Sequence, residues 1–210
     1  MTTSPAKVFV GIPLSDSVHS EFFRTFFSAQ YLLPQEGISY VEFVKWGNVC
    51  KNRNDIVKKF LEGDYSHLFF MDSDMRFPEF TLSRLLAHDK DVVGGYYTTK
   101  INPFRSTVLV ENGRPGISEL TYNPTTGDYL KQVGAIATGC MLIKRHVLEG
   151  MKWPWFWYRP EHDRQEFASE DVTFCDEARA RGFEVWCDFS LCCGHVGHMV
   201  VSPFVDVEGA

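Results

Sequence analysis

Short apolar runs alternate along this chain with segments whose apolar positions recur every three to four residues, the pattern of a sheet interleaved with helices. Strands are predicted over Lys7 to Ile12, Ile38 to Val44, His67 to Met71, Asp91 to Thr99 and Phe183 to Leu191, with Val133 to Lys144 returning to the core. The run His67-Leu68-Phe69-Phe70-Met71 lacks polar alternation, so it is expected inside the sheet with both faces covered. Helices are predicted over Ser15 to Gln30, capped by Ser15 or Asp16, and over Asn48 to Glu62, with Gly63 as the stop. Two more are predicted over Pro78 to His88 and over Ser169 to Arg181, the latter closed by Gly182. Asn112-Gly113, Pro115-Gly116 and Thr126-Gly127 mark Thr107 to Leu130 as a hairpin excursion from the sheet, and Trp153 to Phe167 reads as an aromatic and charged loop. No repeat or linker interrupts the pattern. The expectation is a single α/β domain over 1–210, a mixed sheet flanked by helices.

Composition then removes several classes. With 210 residues, 44% of them hydrophobic and 15% aromatic, the chain can bury a core without disulfide or metal staples and is no disordered segment. Its 21 basic and 27 acidic residues give a net charge of -6, which disfavours a nucleic-acid binder working through backbone electrostatics. The first residues lack the length and flanks of a secretory signal, and no stretch suits a membrane span, so a soluble cytoplasmic protein is expected. Cys50, Cys140, Cys175, Cys187, Cys192 and Cys193 lack C-x-x-C spacing. They read as buried reduced thiols in preference to a zinc site at Cys187, Cys192 and Cys193.

Asp72-Ser73-Asp74 follows the buried strand directly, where open α/β sheets place their ligands. In extended backbone the two carboxylates share a side, and like charges that close call for a cation or a raised pKa. Hard oxygen ligands suit Mg²⁺ or Mn²⁺ holding a diphosphate. The spacing itself is weak, since Asp89-Lys90-Asp91 repeats it in what reads as a solvated helix-to-strand connector. Val49, Arg53, Ile56 and Phe60 share a helical face, so Arg53 lies at or near the apolar side and needs an anion. That anion is either a protein carboxylate such as Asp72 or the base or diphosphate of a nucleotide.

Ser169-Glu170-Asp171 opens the later helix, where a serine cap and acids in the first turn are stabilising in their own right. The preceding loop, with Trp153, Trp155, Phe156, Trp157 and Tyr158, adds flat faces suited to a sugar or other polar ring. A carboxylate there is placed to take a proton from an incoming hydroxyl. His195 and His198 lie just past the last strand, as structural residues or as a further metal ligand.

Together these residues resemble glycosyltransferases of the GT-A fold, near the small family 2-like enzymes of bacteria and their viruses. The resemblance runs from about Val8 to His198. It rests on Lys51-Asn52-Arg53-Asn54, Leu68 to Met75, Gly139 to Ile143, Ser169 to Cys175, Gly182 to Trp186 and Gly194 to Gly197, in that order. It implies a Rossmann-like sheet with a nucleotide-binding half over about 7–100 and an acceptor and catalytic half over about 101–200. It further implies a nucleotide-sugar donor (a UDP-sugar favoured), a saccharide or other hydroxyl acceptor, and Mn²⁺ or Mg²⁺. Asp72 and Asp74 match the metal- and diphosphate-binding D-x-D, with Ser73 between them. Ile12 and Pro13 match the nucleoside edge, and Arg53 a donor-site arginine. Asp171, with Glu170 beside it, matches the general base of inverting members. Trp155 and Trp157 are the acceptor-facing candidates. His195 matches a late metal-binding histidine, although His198 makes that assignment ambiguous. Lys100 and Arg105 are available to phosphate without a pattern that fixes them.

Rival readings carry other signatures. A HAD-like phosphatase needs its D-x-D near the chain start, and a sugar nucleotidyltransferase needs a Gly-rich, Arg-bearing loop after the first strand; Gly11-Ile12-Pro13-Leu14-Ser15 provides none. A non-catalytic nucleotide-sugar-binding module would bind donor without transfer. Transfer to a modified base of viral DNA in an infected bacterial host is disfavoured by the acidic charge.

Overall fold

The computed structural model describes residues 6–14, 18–30, 38–45, 47–100, 104–110, 129–162 and 165–197. Strands β1 (Val8–Pro13), β2 (Ile38–Val44), β3 (His67–Met71), β5 (Val92–Tyr96), β6 (Leu130–Gln132), β7 (Cys140–Lys144) and β10 (Val185–Cys192) form a mixed sheet in the order β2-β1-β3-β7-β5-β10-β6. β1 pairs in parallel with β2 and β3, and β5 with β10, whereas β7 runs antiparallel between β3 and β5. The carboxyl ends of β1, β2, β3, β5 and β10 therefore share one edge of the sheet with the amino end of β7. A two-strand ladder of β4 (Met75–Arg76) with β11 (Gly194–His195) sits beyond that edge, and β8 (Arg159–Glu161) pairs with β9 (Glu166–Ala168).

Period-two alternation divides the core into two layers. Phe9, Leu68, Phe70, Met141 and Ile143 face one side, packing with helices α2 (Val49–Glu62), α4 (Arg145–Gly150) and α5 (Glu170–Arg179). Val8, Val10, Ile12, Phe69, Met71 and Leu142 face the other, packing with α1 (Ser20–Gln30) and α3 (Thr81–Ala87). Asn48 caps α2 by accepting from Lys51 N at 2.9 Å, and Ile56 docks so closely on β1 that a Cβ at Gly11 would lie 2.4 Å from its Cγ2. This contact fixes the amino end of α2, and Arg53 with it, over the carboxyl edge of the sheet.

The expected α/β mixed sheet is observed, with local corrections. The helix expected from Pro78 begins at Thr81; the segment Val133 to Lys144 returns to the core as expected, through Val133, Ala135 and Ile136, and becomes strand at Cys140. The loop read over Trp153 to Phe167 contains the β8–β9 pair, and α4 went unrecognised. Arg145 explains that short helix: its guanidinium donates to the carbonyls of Leu61 and Gly63, each at 2.8 Å, closing the end of α2. Ser15 and Asp16, most of the hairpin excursion (111–128) and His198 lie outside the described residues. All six cysteines are free thiols; Cys140, Cys175, Cys187 and Cys193 are buried as expected, whereas Cys50 is half-buried and Cys192 is exposed. Among the described residues no helix is long and apolar enough to cross a membrane.

Candidate active site

Asp72 leaves the sheet at the end of β3, held by its N–H donating to Gly139 O at 3.2 Å. The backbone then turns, with Met75 N donating to Asp72 O at 3.2 Å. The extended geometry expected for Asp72-Ser73-Asp74 is thus replaced by a turn, and the two carboxylates acquire separate cationic partners. Both still line one cleft of about 280 Å³ with Pro13, Leu14, Asn52, Arg53 and Ser73.

Arg53 is 3% exposed. It donates from Nη1 and Nη2 to the two Asp72 oxygens at 3.1 and 3.2 Å, and from Nε to Glu170 Oε1 at 3.3 Å. Burial works against the guanidinium charge, but Asp72 and Glu170 outweigh it and raise the pKa. The Asp72 carboxylate is thus one anion that Arg53 meets. Glu170 is pushed up by burial and by the neighbouring Asp171, with Arg53 opposing. Asp171 Oδ1 accepts from Ser169 Oγ and from Val172 N, the latter at 2.8 Å; Oδ2 accepts no hydrogen bond among the described residues. Ser169 thus stabilises the turn through Asp171, and no side-chain cap bond is formed.

Asp74 meets a different group. Lys100 Nζ lies 2.5 Å and His195 Nε2 3.5 Å from the same oxygen, Oδ2. The β4–β11 ladder sets this up by pairing Met75 with His195, while Val196 N donates to Asp74 O at 2.8 Å. His195 Nδ1 contacts Thr98 O at 2.9 Å; a carbonyl only accepts, so Nδ1 carries the hydrogen and Nε2 faces the carboxylate. Burial works to raise the Asp74 carboxyl, but His195 and Lys100 outweigh it and hold it well below the usual range. His195 is raised in turn, Asp74 and Thr98 overcoming its burial.

Other expected positions fall differently. Ile12 is wholly buried in the α1-side core, so the cleft is met by Pro13 and Leu14 instead. Trp155 is a correction: it is 8% exposed, donates through Nε1 to Leu148 O at 3.0 Å, and belongs to the core instead of an acceptor face. Its neighbour Asn54 explains why, since Asn54 Oδ1 accepts from Trp155 N at 2.9 Å and Nδ2 donates to Phe156 O at 2.7 Å, drawing this segment inward. Trp157 is half-buried, and Tyr158 is exposed, with Glu170 and Asp171 near enough for their negative charge to reach its phenol. Arg105 is exposed, its backbone N–H donating to Thr99 Oγ1 at 3.0 Å. Asp89 and Asp91 pair with Lys144 and His146 as a connector.

Two residues near Asp72 carried no assigned role. Tyr97 accepts from Gly139 N at 2.9 Å, and its ring stands edge-on to His195 with centroids 5.5 Å apart. Burial, then the negative fields of Asp72 and Asp171, push the Tyr97 phenol well up. Gly139 admits no side chain, since a Cβ would lie 2.6 Å from Tyr97 Oη and 3.3 Å from Asp72 Oδ2. Gly139 belongs to a recognisable glycine-led strand start, but its partner Tyr97 comes from the end of β5, and nothing local joins them. Among the described residues, no three His, Cys, Asp or Glu side chains converge as a preformed metal site.

No protein-family model matches the chain, and a search of curated proteins finds no match. Solved structures do match. The crystal structure of A197 from STIV shares 24% identity over 92% of this chain and 86% of its own, with a TM-score of 0.62. The crystal structure of GalNAc-T7 with UDP, GalNAc and Mn²⁺ shares 12% identity and a TM-score of 0.58; 92% of this chain covers 44% of that one, less than half its length. The chain has the GT-A fold.

Proposed function

We propose that this GT-A-fold protein is a glycosyltransferase that moves a sugar from a nucleotide-sugar, a UDP-sugar by preference, to an acceptor hydroxyl. The observation that carries the reading is Arg53, a buried guanidinium held by Asp72 and Glu170 on the wall of a cleft that Asp74 also lines, at the carboxyl edge of the sheet. A structure of the same fold that contains UDP, GalNAc and Mn²⁺ supports it further.

The donor set fits a divalent cation. With Nδ1 held by Thr98 O, the neutral form of His195 presents its Nε2 lone pair 3.5 Å from Asp74 Oδ2, an imidazole nitrogen beside a carboxylate oxygen, both of the kinds that ligate Mn²⁺. The Thr98 carbonyl orients the ring as outer-shell partners of metal-bound histidines do. Asp74 and His195 would hold the ion; both Asp72 oxygens are engaged by Arg53. When bound, the ion supplies charge neutralisation at the donor diphosphate.

The chain's own residues supply the rest. Pro13 and Leu14 present an apolar edge to the nucleoside, and Ser73 lies between the two carboxylates in the cleft. Arg53 stabilises negative charge growing on the departing diphosphate as the anomeric carbon–oxygen bond breaks. Asp171 takes the proton of the acceptor hydroxyl while its oxygen bonds to that carbon, which gives inversion. Glu170 fixes Arg53, and Tyr158 offers an exposed ring to the acceptor.

The test is a screen of nucleotide-sugars for donor hydrolysis with Mn²⁺, which requires no knowledge of the acceptor. Nucleotide release from a UDP-sugar, abolished by EDTA and by Asp74→Ala, is expected. Failure of every nucleotide-sugar both to bind and to be hydrolysed would refute the reading.

A further inference from the structure

The Asp74 carboxylate, proposed above to hold a divalent ion, carries a protein cation in its place. Lys100 Nζ lies 2.5 Å from Oδ2, the oxygen that His195 Nε2 also faces. An ammonium at hydrogen-bond distance and a divalent ion at coordination distance compete for that oxygen, because an ion bonded at about 2.1 Å would press two positive charges together. The backbone under Lys100 is built in. Thr98 pairs with Ser106, Thr98 O holds His195, and Gly197 packs against Lys100 so tightly that a Cβ there would lie 3.0 Å from Lys100 O and 3.1 Å from Lys100 Cβ. The side chain above it is not confined in this way. Lys100 is 42% exposed, and its four-carbon stem lets the ammonium move while the backbone stays.

We propose that Lys100 is an exchangeable counter-ion of the donor site. It neutralises Asp74 while the site is empty, yields that oxygen to the divalent ion, and then pairs with the donor's diphosphate, which arrives at the same carboxylate. Two electrostatic consequences follow. Lys100 weakens binding of the bare ion, because the ion must displace it, and strengthens binding of a diphosphate once the ion is present. The free site also avoids an unpaired, part-buried carboxylate, whose cost would otherwise fall on folding. Lys100 is thus a positioning residue that couples loading of the ion to loading of the donor. The inference rests on the metal-dependent reading of the site.

The experiment compares wild type with Lys100→Met, which keeps the stem and removes the charge, using Mn²⁺ alone and then UDP at saturating Mn²⁺, both by calorimetry. Lys100→Met is expected to bind Mn²⁺ about tenfold more tightly, the size of one charge-assisted hydrogen bond lost by the competing state. It is expected to bind UDP several-fold more weakly than wild type. Misfolding weakens both steps, so gain in one with loss in the other isolates the exchange. Equal Mn²⁺ affinity in the two proteins overturns the role of Lys100 and leaves the metal-dependent reading standing. If Mn²⁺ binds neither protein, both fail. Tighter Mn²⁺ binding with unchanged UDP binding overturns the transfer of Lys100 to the diphosphate.

Discussion

Replacing Arg53 by Met removes the guanidinium while keeping a stem of similar length against Phe70, whose ring centre lies 5.5 Å from the Arg53 Cζ. Three charge-assisted hydrogen bonds disappear, two to Asp72 and one to Glu170. Removing one partner of a buried ion pair costs about 3–5 kcal/mol. Asp72 is 27% exposed and recovers part of its loss by hydration, whereas Glu170, at 10%, does not. The expected destabilisation therefore falls near the low end, about 3 kcal/mol at pH 8. The penalty must also depend on pH. Burial already raises Glu170, and loss of Arg53 removes the group that opposes the rise. The folded variant then holds a proton at Glu170 more tightly than the unfolded chain does, so its stability climbs as pH falls through the folded pKa toward the unfolded carboxyl range. The deficit against wild type is largest above that pKa and shrinks toward pH 5. Urea unfolding of both proteins at several pH values measures it. A deficit below about 1 kcal/mol at pH 8, or one that grows toward acid, would refute the account of Arg53 as the clamp between two carboxylates.

Further predictions concern separate parts of the molecule. Asp188 is wholly buried, accepting from Ser190 N, Ser190 Oγ and Leu191 N and facing His88 Nε2 and Arg84 Nε, so Asp188→Asn should cost about 3 kcal/mol in urea unfolding at neutral pH. Burial raises Asp188 but Ser190, His88 and Arg84 lower it more, so that stabilisation is present above the unfolded carboxyl range and disappears as pH falls through the lowered folded pKa. Tyr97→Phe leaves Gly139 N without its acceptor and should cost about 1–3 kcal/mol by thermal or urea denaturation. Asp171→Asn should cut kcat about 10²–10⁴-fold while UDP affinity stays within about twofold, as expected of a general base that does not touch the donor; a matching loss of UDP affinity would reassign it.

What could be read before the structure follows from how local each signal is. The β3 run, the helix from Asn48 and the Gly63 stop are written in consecutive residues, and β2 and β3 fall at their predicted bounds. Arg53 was readable because a helical period puts a charge among Ile56 and Phe60, which demands a partner. The partners were harder. Asp72 is 19 residues away and Glu170 is 117, so only the tertiary fold chooses them. The meeting of His195 with Asp74 depends on a ladder of two residues per strand, too short to leave a periodic trace. Trp155 misleads for the opposite reason: tryptophan serves cores and sugar sites alike, and the deciding residue is Asn54, a hundred positions earlier. Lys100 offers no pattern at all, since a single lysine after a strand has no spacing to test.

The antiparallel strand β7 has a consequence for how the chain acquires its structure. β3 and β5 do not pair with each other; residues 140–144 come between them. During synthesis the strands up to Tyr96 can form only a β2-β1-β3 patch and an isolated β5, with edges left open for want of a strand some forty residues downstream. Joining of the β2-β1-β3 patch to β5, and with it the seating of Asp72 against Gly139, waits for that late segment, and the other edge of β5 waits longer still, for β10. A fragment ending near residue 100 should therefore collect as an aggregation-prone intermediate instead of a nucleotide-binding unit. Refolding of the whole chain should be limited by the arrival of β7 and β10.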